Sequence, residues 1–289
     1  MSTDPEPTVE EVAQRVLDRF GPHATALMAY GSRVFGQARL GSAYDFWLIV
    51  RDAAAFHRAN AEFYRSSLHE PSTPERQIAL NRSGPLFYTY ADGGVEIKIA
   101  VIEERIFVRL CRYPWYTVKG RMQKPMRVLR ASPAVEATLL HARREGLLHG
   151  LSLTPAEFTM EELLYQVCSL SYRAELRPER KGAKIRSILR AGRVPLEEIY
   201  RPLLAELPFV VARGEHFLDT RPPDERRRAR RDTLRLLRRS KWSRRSRRFI
   251  RRNYDSHPAP LKYLLLKFLG EIQKPFARLL GRPRRPPNA

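Results

Sequence analysis

The stretch Tyr30-Gly31-Ser32-Arg33 precedes the apolar run Tyr44-Asp45-Phe46-Trp47-Leu48-Ile49-Val50, so a small-residue turn stands before a strand with a carboxylate near its start. These residue types suit a nucleoside triphosphate. Gly31 lets backbone N–H groups approach phosphate oxygens, Ser32 adds a hydroxyl, and Asp45 can hold a divalent cation. The chemistry indicated is nucleotidyl transfer. Its general signature places two acids one residue apart on the strand, and here Trp47 occupies the second place. The same residues also read as a turn, a loop and a buried strand.

Another charged pair lies downstream in Val95-Glu96-Ile97-Lys98-Ile99-Ala100-Val101, where alternation sets Glu96 and Lys98 on one face of a strand. They supply either a second metal ligand and a phosphate-neutralising cation or a solvated face. His57 and Asn60 share one face of a helix expected over residues 53–66, as site groups or as surface polar groups.

The positioning elements follow from pattern. Thr8 and Glu11 have capping-box spacing at the start of a first helix. Ala24–Tyr30 and Tyr44–Val50 read as strands on either side of the turn, and Leu86–Tyr90 and Val95–Ile102 as a hairpin through Ala91-Asp92-Gly93-Gly94. Gly120-Arg121-Met122-Gln123-Lys124-Pro125 reads as a loop ending this half. Helical periodicity runs from Ser132 to about Leu207, with starts near Thr159 and Pro195, and implies an all-helical second domain. From Arg221 the chain turns densely basic and cannot form core, and Leu261, Leu265, Phe268, Ile272, Phe276 and Leu279 then recur at near-helical spacing among lysines and arginines. That combination reads as an amphipathic helix lying on an anionic membrane surface, or as a last helix packed on the protein itself. The expected division is 1–130, 131–220 and a polybasic tail, 221–289.

Lys and Arg number 53 against 31 Asp and Glu among 289 residues, a formal charge of +22 that calls for an anionic partner surface. Only Cys111 and Cys168 occur, which supports neither a disulfide framework nor a cysteine zinc site. No apolar stretch approaches the roughly 20 residues that span a bilayer.

Several of these segments together resemble one family, the mitochondrial translocator assembly and maintenance proteins, which are peripheral CDP-diacylglycerol synthases. Tyr30-Gly31-Ser32-Arg33-Val34-Phe35-Gly36-Gln37 resembles the signature Tyr-Gly-Ser-Gly-Val-Phe-x-Gln, with Arg33 in place of its second glycine. Asp45-Phe46, His57-x-x-Asn60 and Gly120-Arg121-Met122-Gln123-Lys124-Pro125 resemble further family motifs. So does Leu170-Ser171-Tyr172-Arg173-Ala174-Glu175-Leu176-Arg177, where Ala174-Glu175 stands for the family's Gly-Asp. The family lacks a second acid on the Asp45 strand, which accommodates Trp47. Its Lys-Tyr-Gly-Val strand is followed loosely, through Lys98.

The resemblance implies an α+β fold, a DNA polymerase β-like nucleotidyltransferase domain with a mixed sheet, followed by a helical domain and a basic amphipathic C-terminal tail. It implies conversion of CTP and phosphatidate to CDP-diacylglycerol and pyrophosphate, with Mg²⁺. Asp45, Lys98 and Lys124 are the expected catalytic groups. Tyr30, Gly31, Ser32, Gln37, His57, Asn60, Arg121 and Arg177 are expected around CTP, and Asp45, Glu96 and Glu175 around the metal. With no transit-peptide pattern at its start, the chain is expected to be a bacterial cytoplasmic protein at the inner face of the cell membrane, held by its tail. Two other readings stay open: a nucleotidyltransferase acting on RNA or another soluble acceptor, with nucleic acid unfavoured by the scarcity of aromatics in the tail, and a catalytically silent binding protein.

Overall fold

Thr8 caps α1 (Val9–Phe20) through a capping box with Glu11, and the helix buries Val12, Val16 and Phe20 at helical spacing. That stripe covers one face of a five-stranded sheet. In the computed structural model, which describes residues 6–36, 38, 41–62, 73–113, 116–174 and 181–242, the strands are β1 (Ala24–Tyr30), β2 (Tyr44–Val50), β3 (Leu86–Asp92), β4 (Val95–Glu103) and β5 (Met126–Ala131). Their order is β3-β4-β2-β1-β5, with β2 and β4 parallel and the other neighbours antiparallel. β3 and β4 are joined as expected by a tight turn, Gly93-Gly94, both at positive φ.

Helices cover both faces, which is why β2 reads as a nearly unbroken apolar run rather than an alternating one. Phe46, Leu48 and Val50 pack with α1 and with Phe56 of α2 (Ala53–Ala59), while α3 (Pro74–Asn81) pins the end of β4 through Asn81 hydrogen bonds to Val101 O and from Glu103 N. On the other face Met28, Trp47, Ile49 and Ile102 meet α4 (Glu104–Arg112) and α6 (Pro133–Leu151), with the short α5 (Tyr116–Lys119) between them.

α6 belongs to two cores. Val135, Leu139 and Ala142 pack on the sheet, and Leu147 and Leu151 pack on α7 (Met160–Ala174) and α8 (Lys181–Ala205). The division expected at residue 130 therefore falls beside a helix that both halves share. α8 departs from helical geometry at Gly192, just before the start expected near Pro195. The second half is not all-helical: β6 (Glu157–Thr159), β7 (Val210–Arg213) and β8 (His216–Asp219) form a small antiparallel sheet, whose strands are too short for a period-2 pattern to register.

The Gly120–Pro125 loop is the seam between the halves. Gln123 is fully buried, donates from Nε2 to Lys119 O and Ala142 O at 2.8 and 2.9 Å, and accepts from Tyr200 Oη of α8 at 2.7 Å. Three glycines make room for this loop. A Cβ at Gly120 would stand 2.9 Å from Ser171 Cα, one at Gly146 would collide with Gln123, and one at Gly192 with Pro125.

The basic segment after Arg221 also departs from expectation. Residues Pro223–Trp242 form α9, which buries Thr233, Leu237 and Ser240 against the body of the protein. Thr233 Oγ1 lies 2.8 Å from His149 Nδ1, and Ser240 Oγ accepts from Tyr116 N at 3.2 Å. One narrow apolar and hydroxylic stripe suffices to dock a helix that is otherwise rich in arginine. Among the described residues no helix is long and apolar enough to cross a membrane. The amphipathic segment expected from Leu261 lies outside the described residues.

Because Gln123 is held by hydrogen bonds and cannot swing aside, Gly146→Ala is expected to lower the unfolding free energy by about 1–3 kcal/mol, outweighing the ~1 kcal/mol that alanine contributes within a helix. Denaturant titration of both proteins checks this, and a Gly146→Ala protein as stable as the parent contradicts it.

Candidate active site

β2 lies between β1 and β4, and its register pairs Asp45 with Tyr30 on one side and with Lys98 on the other. Residues paired across neighbouring strands project to the same face. Asp45 therefore ends the row whose next members inward along β2 are Trp47 and Ile49, both buried against α4 and α6. Trp47, in the place of a second acid, lies between Tyr30 and Phe87, with ring centroids 6.3 Å from each. That position is an apolar floor and leaves Asp45 as the carboxylate of this strand.

The turn closes onto that carboxylate. Gly31 has φ +90°, and a Cβ there would stand 2.5 Å from Asp45 Oδ2. Glycine is required on both counts, by the left-handed backbone and by the close approach. Enclosure by the turn and the sheet withdraws Asp45 from water, and burial is the main cause that raises its pKa to about 6. Lys98 opposes the rise, Glu96 adds to it, and Lys184 opposes it more weakly. Glu96 and Lys98 form an ion pair at 2.8 Å with side chains 46% and 47% exposed, so both remain available to a ligand.

Arg121 and Lys124 reach the same end of the sheet from the seam loop, since β5 begins with Met126 paired to Tyr30. Arg121 lies over the Phe87 ring at 5.3 Å, and Lys124 over Tyr172 at 4.4 Å. The structure thus gathers Tyr30, Gly31, Ser32, Asp45, Glu96 and Lys98 at one edge of one face, with Arg121 and Lys124 beside them. Lys184, from the exposed side of α8, completes the set. It precedes Ile185 in that helix's apolar spacing, but no local pattern pairs it with Asp45.

His57 and Asn60 are elsewhere. His57 is fully buried and packs on Phe56, which meets Phe20 and His23 near the start of β1, at the end of the sheet away from the turn. Burial holds its pKa down at about 4, and its ring lies in the core, apart from the groups gathered around Asp45. Asn60 is the C-cap of α2, donating to Phe56 O at 2.8 Å. Both were expected around CTP, and the helix carrying them is held instead by its packing. Cys111 and Cys168 are buried, with thiols pushed up to about 12, so neither acts as a nucleophile. Gln37, Glu175 and Arg177 lie outside the described residues.

Among the described residues no group of three or more His, Cys, Asp or Glu is placed to hold a metal. Asp45 with Glu96 still fits Mg²⁺, which takes one or two protein carboxylates and completes its shell with water and substrate phosphate oxygens.

Residues 13–241 match the family described as phosphatidate cytidylyltransferase, mitochondrial. The chain belongs to that family. Relatives bearing the same name include those of Caenorhabditis briggsae, 29% identical over 191 residues covering 61% of this chain and 59% of that protein, and of Danio rerio, 27% identical over 215 residues covering 68% and 64%. The human relative is 24% identical over 218 residues, covering 70% of this chain and 48% of its own length. The chain thus spans less than two thirds of each of these proteins. All of them are named as mitochondrial, and that finding overturns the expected placement at the inner face of a bacterial cell membrane.

The raised pKa of Asp45 carries a stability consequence. Its folded-state value of about 6 exceeds the ordinary aspartate value of 3.8, so the folded protein binds this proton more firmly, and stability present at acid pH is lost as pH rises between those values. Asp45→Asn is therefore expected to stabilise the ligand-free protein by about 2 kcal/mol at pH 8, with the difference vanishing towards pH 4. Denaturation curves across that range check it; a substitution that destabilises at pH 8 contradicts the desolvated carboxylate.

Proposed function

We propose that this protein transfers the cytidylyl group of CTP to phosphatidate, releasing pyrophosphate and forming CDP-diacylglycerol, at an anionic membrane surface in mitochondria. The observation that carries the reading is the Asp45 carboxylate enclosed by the Gly31–Ser32 turn with Lys98 beside it, in a chain whose family and relatives bear the name of that activity.

A phosphate oxygen of the lipid attacks the α-phosphorus in line, and negative charge builds on the departing pyrophosphate. The Gly31–Ser32 backbone and the Ser32 hydroxyl hold the outer phosphates. Lys98, Lys184, Lys124 and Arg121 offset the developing charge from fixed positions at a partly dehydrated site, where such groups are most effective. The exposed Glu96–Lys98 pair can open, freeing the ammonium for phosphate. Asp45 and Glu96 would be the residues to hold Mg²⁺, which when bound would supply Lewis-acid neutralisation of phosphoryl charge. No general base is needed, because a phosphate monoester is already ionised near neutral pH, and His57 buried in the core accords with that.

α9 supports the membrane part of the reading. Its docked residues Thr233, Leu237 and Ser240 face the protein, and at 3.6 residues per turn Arg228, Arg231, Arg235 and Arg238 fall on the opposite side. All four are exposed. Each basic residue near an anionic bilayer contributes about 1 kcal/mol, so this stripe favours a phosphatidate-bearing surface.

The test follows label from α-labelled CTP into the lipid phase of phosphatidate vesicles. Phosphatidate-dependent incorporation is expected, with kcat/KM lowered about tenfold or more by Lys98→Ala and by Lys184→Ala. Label that enters RNA and not lipid contradicts the reading. Reversing Arg228, Arg231 and Arg238 to Glu together is expected to weaken vesicle binding at least a hundredfold, as the loss of about 1 kcal/mol per cation requires. Unchanged sedimentation with vesicles contradicts the role given to α9.

A further inference from the structure

Arg33 follows Ser32 directly, at the position where the family signature described above has glycine, and its side chain is only 10% exposed. The donors of its guanidinium are engaged. Nε and Nη2 donate to Ser42 O at 2.9 and 2.7 Å, and Nη2 and Nη1 donate to the two carboxylate oxygens of Glu6, the Nη2 bond being 2.9 Å long. The guanidinium lies 4.5 Å from the centre of the Tyr44 ring, and the Tyr44 hydroxyl donates to Pro7 O. Gly41 N donates to Glu6 Oε1 at 3.1 Å. One side chain thus ties the start of the connection between β1 and β2 to its end, and ties both to the segment that leads into α1.

We propose that Arg33 and Glu6 form a strut that holds the two ends of the connection, residues 31–36 and 41–43, in place before a triphosphate arrives, which makes Arg33 a positioning residue and draws Glu6 into the support of the nucleotide site. A glycine at this position would remove these ties, and the ordering of the two ends of the connection would then be charged against binding. Arg33 supplies that order within the folded protein, and a preorganised site binds more tightly. The ion pair is bidentate, with the guanidinium enclosed and the Glu6 carboxylate on the solvent side, and the fork-to-fork geometry fixes the direction of the contact. The inference rests on reading the Gly31–Ser32 turn as a triphosphate site.

Two measurements on the full chain test it, one without ligand. Hydrogen exchange at amides 31–36 and 41–43 is expected to quicken about tenfold in Arg33→Gly and in Glu6→Gln, with Arg33→Lys between Arg33→Gly and the parent. The double substitution should be no faster than Arg33→Gly alone, as for residues acting through one interaction. In turnover, KM for CTP is expected to rise about fivefold with kcat changed less than about twofold, which a general loss of folding does not produce. Unchanged exchange overturns the strut. A KM that falls in Glu6→Gln overturns it too, and makes Glu6 an internal stand-in that competes with phosphate for Arg33. If the parent protein does not turn CTP over, the triphosphate reading fails, and the exchange measurement still decides whether the strut exists.

Discussion

A carboxylate enclosed by a backbone turn is costly to keep charged, and the sheet edge is arranged around that cost. Asp45 is fixed by pairing on both sides of β2, so it cannot withdraw to solvent, and the left-handed Gly31 brings the turn to within contact of its oxygen. Lys98 and Lys184 lower the penalty without removing it, and Glu96 increases it. A group so placed gains most when a divalent cation and a polyanion arrive together, because the cation relieves the carboxylate and the polyanion relieves the lysines. On the proposed function, the cost of the desolvated carboxylate would be offset when cation and nucleotide bind, a trade between stability and function.

Of the cations beside Asp45, Arg121 and Lys124 come from the seam loop and Lys184 from the other half, so their placement depends on the seam. Gln123 joins the loop bearing Arg121 and Lys124 to α6 and α8 at once, and Gly120, Gly146 and Gly192 allow the close approach that the joint needs. α9 touches the same region through Ser240 and Tyr116, immediately before that loop. The arginine-rich helix, the seam and the sheet edge therefore form one continuous packed path, although they are far apart in the sequence.

Much of this was legible beforehand where the signal is local. The Thr8–Glu11 box, the strands at 24–30 and 44–50 and the Gly93–Gly94 hairpin follow from capping, burial on both faces and turn chemistry, and the structure has them at those places. The family signature singled out Gly31, Asp45 and the seam loop, and the sheet register explains how the first two come together. What escaped was non-local. His57 and Asn60 share a helical face, but only tertiary packing decides whether that face meets the core or a ligand. Lys184 is unremarkable until α8 is placed. The small sheet of β6, β7 and β8 has strands below the length at which alternation is visible, and the docked stripe of α9 is hidden among arginines. Arg33 appeared in the sequence as a departure from a glycine pattern, and its meaning depends on Glu6 and Ser42, which lie outside the motif.

The most direct measurement is a crystal structure of the protein with CTP and Mn²⁺ in place of Mg²⁺, with the metal located by its anomalous signal. The account predicts a metal peak at coordination distance from an Asp45 carboxylate oxygen, with the triphosphate lying over the Gly31–Ser32 turn. A metal and nucleotide bound together away from Asp45 would contradict it.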